Sequence, residues 1–455
     1  MATNPSLSEY VAQSQRGLYS SVFGPEYLQK QTYFTVDTAT GIFNTTYGRK
    51  VWHALNNQTR FFNAIPRTVW GNTAGWRIRT DRGSGRSRPV TETGALPTVD
   101  VSDIANVASL PRIVSTTFGA SVKSVFTAQL EGGVGDVLAL ENENAQLDHV
   151  KEMNEELMAG SGYVVSAGST TTGVVPASVA SNIKVGDKVA YYDTSANDYI
   201  NTSGLTVSGI NTSTGTITHG TASATVADGD GLIVVERAGL TSIDDIVQFD
   251  GAAVGGSFDT NSNFAANGGV RAYDLTFGDR PSGQWNAAAT VKHNNGVGRE
   301  LSLNLIDDCI QTVRTNGGEP KLIVMGHDQY FKLERLLQSQ QRYLGQEEYQ
   351  VGVGSERTFP GTRTGLVLAT YQGIPILPDA DTPKGVATDD SVLGSNVYVL
   401  DTDYLEIAVA QPTQYIENRD YFAANALVVR GLLYTMAEMR CHNFFTQAKI
   451  TDLNA

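Results

Sequence analysis

The stretch that most constrains this chain is residues 299–337, RELSLNLIDDCIQTVRTNGGEPKLIVMGHDQYFKLERLL. Leu301, Leu305, Cys309, Ile310 and Val313 recur at helical spacing, so one face is apolar and needs a core. Gly317 and Gly318 offer the left-handed backbone that stops a helix. Residues 321–325 read as a short buried strand. Asp328 then reads as the cap of a second helix, in which Phe331 and Leu333 lead on to Leu336 and Leu337. Helix, glycine stop, buried strand and helix make a packing module. It contains no nucleophile, metal cluster or phosphate loop.

With 455 residues the chain is long enough for about three domains around that module. A hydrophobic fraction of 41% builds real cores, while 18% charged residues and 46 glycines favour β-rich, loop-rich structure over a helical bundle. Two cysteines, Cys309 and Cys441, exclude a disulfide framework, and Cys309 reads as a core thiol. Residues 1–18 show no basic start followed by an apolar run, and no stretch approaches the roughly 18 apolar residues of a membrane span. The expectation is a soluble protein made in a cytoplasm, with no membrane partner. A net charge of −14 repels phosphates and opposes tight nucleic-acid binding. Lys50 and Lys123 are consecutive lysines of the chain. An acidic, lysine-poor, Thr- and Ala-rich composition fits a salt-adapted protein as well as an ordinary acidic one.

In chain order, residues 1–60 are polar and dotted with Tyr10, Tyr19, Phe23, Tyr27, Tyr33, Phe34 and Phe43. An arm packed on another surface fits this pattern. Residues 68–126 alternate as strands: 76–79 lead into a Gly/Arg tip at 81–88, and 113–118 and 121–126 return. An isolated ribbon of that kind is marginal in water and needs a neighbouring surface. Its arginines, Arg77, Arg79, Arg82, Arg86 and Arg88, are therefore candidates for contact with acidic surface on an adjacent subunit. Residues 136–158 read as one long helix through Leu140, Leu147, Val150, Met153 and Leu157. Glu141, Glu152, Glu155 and Glu156 lie on its other faces, with Glu143 and Asp148, as a solvated surface and further contact candidates. His149 on this helix reads as a surface residue. Residues 163–238 lose charge and gain Gly, Ser, Thr and Val, in short strands joined by tight turns: a small all-β module. Asp228-Gly-Asp-Gly resembles the start of a calcium loop, but it lacks the later Glu and the helices, and reads as a turn. Residues 240–298 are loop-rich, and 343–364 read as another polar loop. Strands follow over 365–371, 373–378, 396–401, 405–409, 426–436 and 443–451.

Phosphate-cradling, dinucleotide, nucleophile-elbow and zinc-protease motifs are all missing, and the six histidines are scattered. No catalytic, cofactor or metal residues are expected. Two further function classes remain open on pattern alone. One is an extracellular β-rich adhesin or surface-layer protein. The other is a carbohydrate-active enzyme using two of the many carboxylates.

The order of the pieces carries a resemblance. An aromatic-dotted arm, a long strand excursion, an acidic long helix and the helix–GG–strand–helix core come first. QGIPILPDADTP, NVYVLDTDYLEIAV and a final apolar strand pair follow. This resembles the major capsid proteins of tailed viruses with the HK97-like fold, an α+β architecture. The resemblance implies an N-terminal arm (1–60), an extended β-hairpin loop (61–130) and a spine helix of the peripheral domain (131–160). It further implies an inserted β domain (161–239), peripheral domain and crossing (240–340), an axial domain (341–425) and a return to the peripheral domain (426–455). It also implies assembly: hexamers and pentamers closing an icosahedral shell round double-stranded DNA, in a virion formed in a host cytoplasm. Implied partners are portal, scaffolding or protease proteins, a decoration or minor capsid protein, and weakly contacted DNA. Some members of the family crosslink through a lysine in the extended loop. The lysine-free interval 51–122 departs from that pattern, so a noncovalent shell is expected. A haloarchaeal host would match the composition.

Overall fold

The computed structural model describes residues 59–71, 75–79, 89–97, 101–102, 104–128, 137–193, 198–200, 204–222, 224–247, 273, 289–294, 297–337, 346–350, 358–362, 370–386, 391–419 and 426–455. The chain divides into two units. One holds 1–57, 114–151 and 413–435; the other holds 58–113, 152–412 and 436–455.

A short helix, Arg60–Ala64, precedes β1 (Arg67–Val69), β2 (Gly75–Arg79), β3 (Ile104–Ala108) and β4 (Arg112–Ser121). Helices Val122–Ala128 and Val137–Leu157 follow. Next come β5 (Gly162–Val164), β6 (Ala167–Gly168), β7 (Thr172–Val174), β8 (Lys188–Asp193), β9 (Asp198–Tyr199), β10 (Leu205–Asn211), β11 (Thr216–His219) and β12 (Gly231–Glu236). A single turn of helix, Ile243–Ile246, leads to β13 (Thr290–Lys292), helix Leu303–Thr315, β14 (Leu322–Met325) and helix His327–Leu337. The remaining strands are β15 (Gln346–Gln350), β16 (Thr358–Thr362), β17 (Thr370–Tyr371), β18 (Ile374–Pro378), β19 (Lys384–Val386) and β20 (Val392–Ser395). They end with β21 (Val397–Leu400), β22 (Leu405–Asn418), β23 (Val428–Cys441) and β24 (Ala448–Ile450).

In the larger unit the 299–337 module folds as its pattern requires. Ser302 caps the first helix, its side chain accepting from Leu305 N. Ile306, Cys309, Ile310 and Val313 are buried. Gly317, with φ 88°, supplies the left-handed stop, a conformation in which a Cβ is strained. β14 is buried along its length and lies between β21 and β18 in a six-stranded sheet of order β13-β24-β21-β14-β18-β17. It runs antiparallel to β21 and parallel to β18. The helices and the sheet share one core that includes Ile310, Val313, Ile323, Met325, Leu333, Val399 and Ile450. Each such buried side chain contributes about 1.5–3 kcal/mol. Asp328 lies inside the first turn of the second helix and accepts Ser395 N at 2.8 Å, tying the helix to β20. Phe331 and Leu336 remain exposed, so only Leu333 of the expected apolar set is fully buried.

All eight strands of the largest sheet lie between residues 162 and 236, in the order β5-β12-β8-β10-β11-β7-β6 with β9 on β8. Tyr163, Tyr191, Tyr192, Ile217, Leu232 and Ile233 fill its core. The Asp228–Gly231 stretch is a turn: Gly229 has φ 84° and Asp230 accepts Ala227 N at 2.7 Å.

In the smaller unit the described residues are those of 114–128, 137–151, 413–419 and 426–435. Residues 122–126 are helical rather than extended, with Ser121 ending β4. Ser121 accepts Ser124 N at 3.0 Å, so its cap outweighs the β-like alternation that follows it. His149 is 1% exposed, not a surface residue. Its two ring nitrogens meet Thr116 Oγ1 at 3.0 Å and Thr435 Oγ1 at 2.7 Å. Phe118 stacks on Tyr415, and a Cβ at Gly431 would collide with the Phe118 ring.

Two loop expectations are corrected or fall away. The 343–364 stretch contains the antiparallel pair β15–β16, its backbone register running from Gln346↔Thr362 to Gln350↔Thr358. Polar side chains and glycines hid a hairpin there. Most of 248–288 and 363–369 lies outside the described residues.

Candidate functional site

Among the described residues β2 and β3 pair only with each other, from Gly75↔Ala108 to Arg79↔Ile104. The two-residue period of a strand sorts their side chains. Trp76 and Val107 share the inward face, with Val107 1% exposed. Arg77 and Arg79 share the outward face with Asn106 and Ile104. The flanking chain presents more apolar surface to solvent: Val69 is 89% exposed and Leu96 80%, and Val101, Leu110 and Ile113 are also exposed. Scattered exposed apolar residues are ordinary; here several fall along one ribbon and its flanks. Arg82, Arg86 and Arg88 lie outside the described residues.

The glutamates of the long helix divide differently from the expected solvated face. Its buried seam passes through Ala145, His149, Met153 and Leu157 at intervals of four, while Leu147 is exposed. Glu141 is half-buried, and burial raises its pKa. Glu152 and Glu155 face Lys184 at 2.7 and 3.8 Å within the same chain. Glu156 accepts Leu240 N at 2.9 Å, and burial pushes its pKa up to about 7. The acidic spacing read as solvent-facing because Lys184, far off in sequence, could not be paired with it from pattern alone.

Glu156 belongs to a polar lock on the segment that leaves β12, and the lock lies wholly within the larger unit. Asp187 accepts Ala238 N at 2.8 Å and Glu438 accepts Thr241 N at 2.9 Å. Ser242 and Asp245 close a capping box. Arg237 donates through Nε to Asp245 at 2.7 Å and through Nη2 to Gly160 O at 2.6 Å. Asp244 accepts from Lys449 Nζ at 2.9 Å, Tyr398 Oη at 2.7 Å and Ser161 N at 2.8 Å. Burial would raise the Asp244 carboxyl, but Lys449 and the hydrogen bonds outweigh it and hold it below the usual range. Burial pushes Glu438 up to about 7 against the hydrogen bond from Thr241 and the Arg112 charge. Nucleophile, base and acid types are all present, yet their polar atoms are engaged with one another. A buried network satisfied in this way fixes a structure rather than turning over a substrate.

Among the described residues no group of three His, Cys, Asp or Glu side chains is placed to hold a metal, and no helix is long and apolar enough to cross a membrane.

In comparison with known proteins, the family model described as SU10 major capsid protein matches residues 29–454. The capsid asymmetric unit of cyanophage A-1(L) is 12% identical, with 90% of this chain and 96% of that chain covered at a TM-score of 0.50. The capsid of a native GTA particle is 11% identical over 96% of this chain and 99% of that chain, with a TM-score of 0.46. The capsid of cyanophage P-SCSP1u is 9% identical over 95% and 100%, with a TM-score of 0.44. No curated protein matches. The adhesin and carbohydrate-enzyme readings lose their ground to this match. The chain belongs to the SU10 major capsid protein family, with the HK97-like α+β fold of a structural protein of the viral head shell and not an enzyme.

Proposed function

We propose that copies of this chain close an icosahedral shell as hexamers and pentamers around double-stranded DNA, held together noncovalently. The observation that carries this is the two-stranded ribbon β2–β3, whose outward face and flanks offer Arg77, Arg79, Ile104, Leu110 and Val69 to a neighbour. The ribbon's inward face is buried within the subunit, and a neighbouring copy covers its outward face and the exposed apolar flanks. In this reading residues 1–60, of which 1–58 lie outside the described residues, form an arm, and 61–130 the extended loop. Residues 131–160 supply the spine helix and 240–340 with 426–455 the peripheral domain. Residues 341–425 form the axial domain, and 161–239 form an insertion on the outer face. Arg82, Arg86 and Arg88 extend the same contact, and Glu141 remains a candidate for its acidic counterpart. Portal, scaffolding or protease proteins, and a decoration or minor capsid protein, act with it in the host cytoplasm. Contact with DNA is weak and nonspecific, in keeping with a net charge of −14. The same composition favours assembly at high salt.

Negative-stain microscopy of the purified protein, at low and at multimolar salt, tests this. Closed shells, or rings of five and six subunits, are expected. Monomers at every salt and concentration, with scaffolding protein added, would refute it.

A further inference from the structure

At the foot of the ribbon one cation has no counter-ion among the described residues. Arg440, on β23, is 7% exposed. Its guanidinium lies 3.8 Å from the centre of the Trp70 ring and 5.7 Å from that of Trp76. Nε donates to Ser109 Oγ at 3.3 Å, while Nη2 is buried with no partner. Trp76 Nε1, from the adjoining ring, is likewise buried with no partner. The acids nearby on β22 and β23 are engaged elsewhere. Glu438 holds Thr241 N and faces Arg112, and Glu406 pairs with His442 at 3.2 Å. His442 itself packs edge-on against Trp76.

Two orphaned donors side by side, one of them cationic, lack one thing: an acceptor that carries negative charge. Indole faces stabilise a guanidinium but accept neither of these N–H groups. A buried charged donor without an acceptor is costly, so the free subunit holds this corner under-satisfied. Both tryptophans are only half-buried, and among the described residues the strand of Trp76 pairs with β3 alone.

We propose that Arg440, with Trp76 Nε1 and the Trp70 face, is a receptor for a single carboxylate from a neighbouring copy of this chain, seated as subunits assemble. This rests on the shell reading. A carboxylate is favoured over a phosphate because a chain of 47 acidic against 33 basic residues repels polyanions, while every neighbouring copy brings acids to the contact. Planar carboxylate geometry suits the guanidinium fork.

The test compares wild type, Arg440→Met and Arg440→Lys, as free subunits and as DNA-free shells. Met keeps the stem against the indoles and removes the charge. The free Arg440→Met subunit is expected to unfold at an unchanged or higher temperature. Its shells are expected to need about tenfold more protein to assemble, to dissociate at lower urea and to lose part of their salt sensitivity. Lys is expected to restore assembly in part. A free Arg440→Met subunit that fails to fold, or loses as much stability as its shells, would show the counter-charge to be internal and overturn the proposal. Unchanged shells would overturn it too, as would a defect confined to DNA-filled particles, which would assign the anion to phosphate. Wild-type subunits that form no shell even with scaffolding protein added would overturn the shell reading and this inference with it.

Discussion

At the scale of single residues, stability turns on side chains that look unremarkable in the sequence. His149 sits among glutamates and asparagines, yet it bridges Thr116 and Thr435 from the buried seam of its helix. Replacing it with Leu would deprive the half-buried Thr116 hydroxyl and the buried Thr435 hydroxyl of the ring nitrogens, although Thr435 keeps Thr413 at 2.8 Å. A loss of about 1–3 kcal/mol is expected in urea unfolding of the free subunit. Glu438 makes a pH prediction. Its folded pKa of about 7 lies above the ordinary 4.5. A raised carboxyl pKa leaves stability intact below about 4.5 and erodes it as pH rises towards 7, by roughly 3 kcal/mol in all. Other carboxylates, such as Asp244, run the opposite way, so the useful quantity is the difference between wild type and Glu438→Gln. Gln keeps an acceptor for Thr241 N and does not titrate. Relative to wild type, the variant is expected to gain stability between pH 5 and pH 8. A pH-independent difference in the unfolding midpoint would count against a buried, near-neutral Glu438.

At the scale of elements, what the sequence declares and what it hides follow a physical rule. The helix over 303–315, the glycine stop and the strand 322–325 were legible because each is specified by its own neighbours: apolar spacing, a left-handed glycine, a short apolar run. The all-β character of 162–236 was legible for the same reason, through regular turns and alternating Val and Thr. The helix over 122–128 was missed because one capping hydroxyl on Ser121 decides against a β-like alternation. The β15–β16 pair is hidden in the sequence because its segments are polar and carry no alternating apolar signal. The polar lock could not be read at all, since Glu156, Asp187 and Glu438 converge on residues 238–241 from three distant stretches. The sequence shows a two-stranded ribbon but misplaces its return: 75–79 pair with 104–108, whereas 113–121, read as the returning strand, belong to β4 and pair with β23. The structure also adds which face of the ribbon is outward. Replacing Ile104 and Leu110 with Ser is therefore expected to change the unfolding free energy of the free subunit by no more than about 0.5 kcal/mol per site. The same pair of changes should raise the protein concentration needed for shell assembly. Equal effects on both measurements would place these side chains inside the subunit.

At the scale of the whole molecule, the chain joins a capsid fold to a β module that carries a core of its own, and the two need not serve the same purpose. If 161–239 projects from the outer face, its turns remain open to solvent in a closed shell. If it faces inward or lies in a contact, they do not. The Asn211–Thr214 turn gives direct access to this question, because its four residues are exposed in the free chain. The chain also suits cysteine chemistry: Cys309 and Cys441 are both buried, and burial pushes the Cys309 thiol up to about 12, away from the reactive thiolate. A Thr212→Cys variant therefore presents one reactive thiol. A maleimide carried on a polymer too large to pass the shell is expected to label intact particles as fast as dissociated subunits. Labelling only after dissociation would remove the module from the outer face. It would then belong to an intersubunit contact or to the DNA-facing side, where a net-negative chain has least reason to place a large domain.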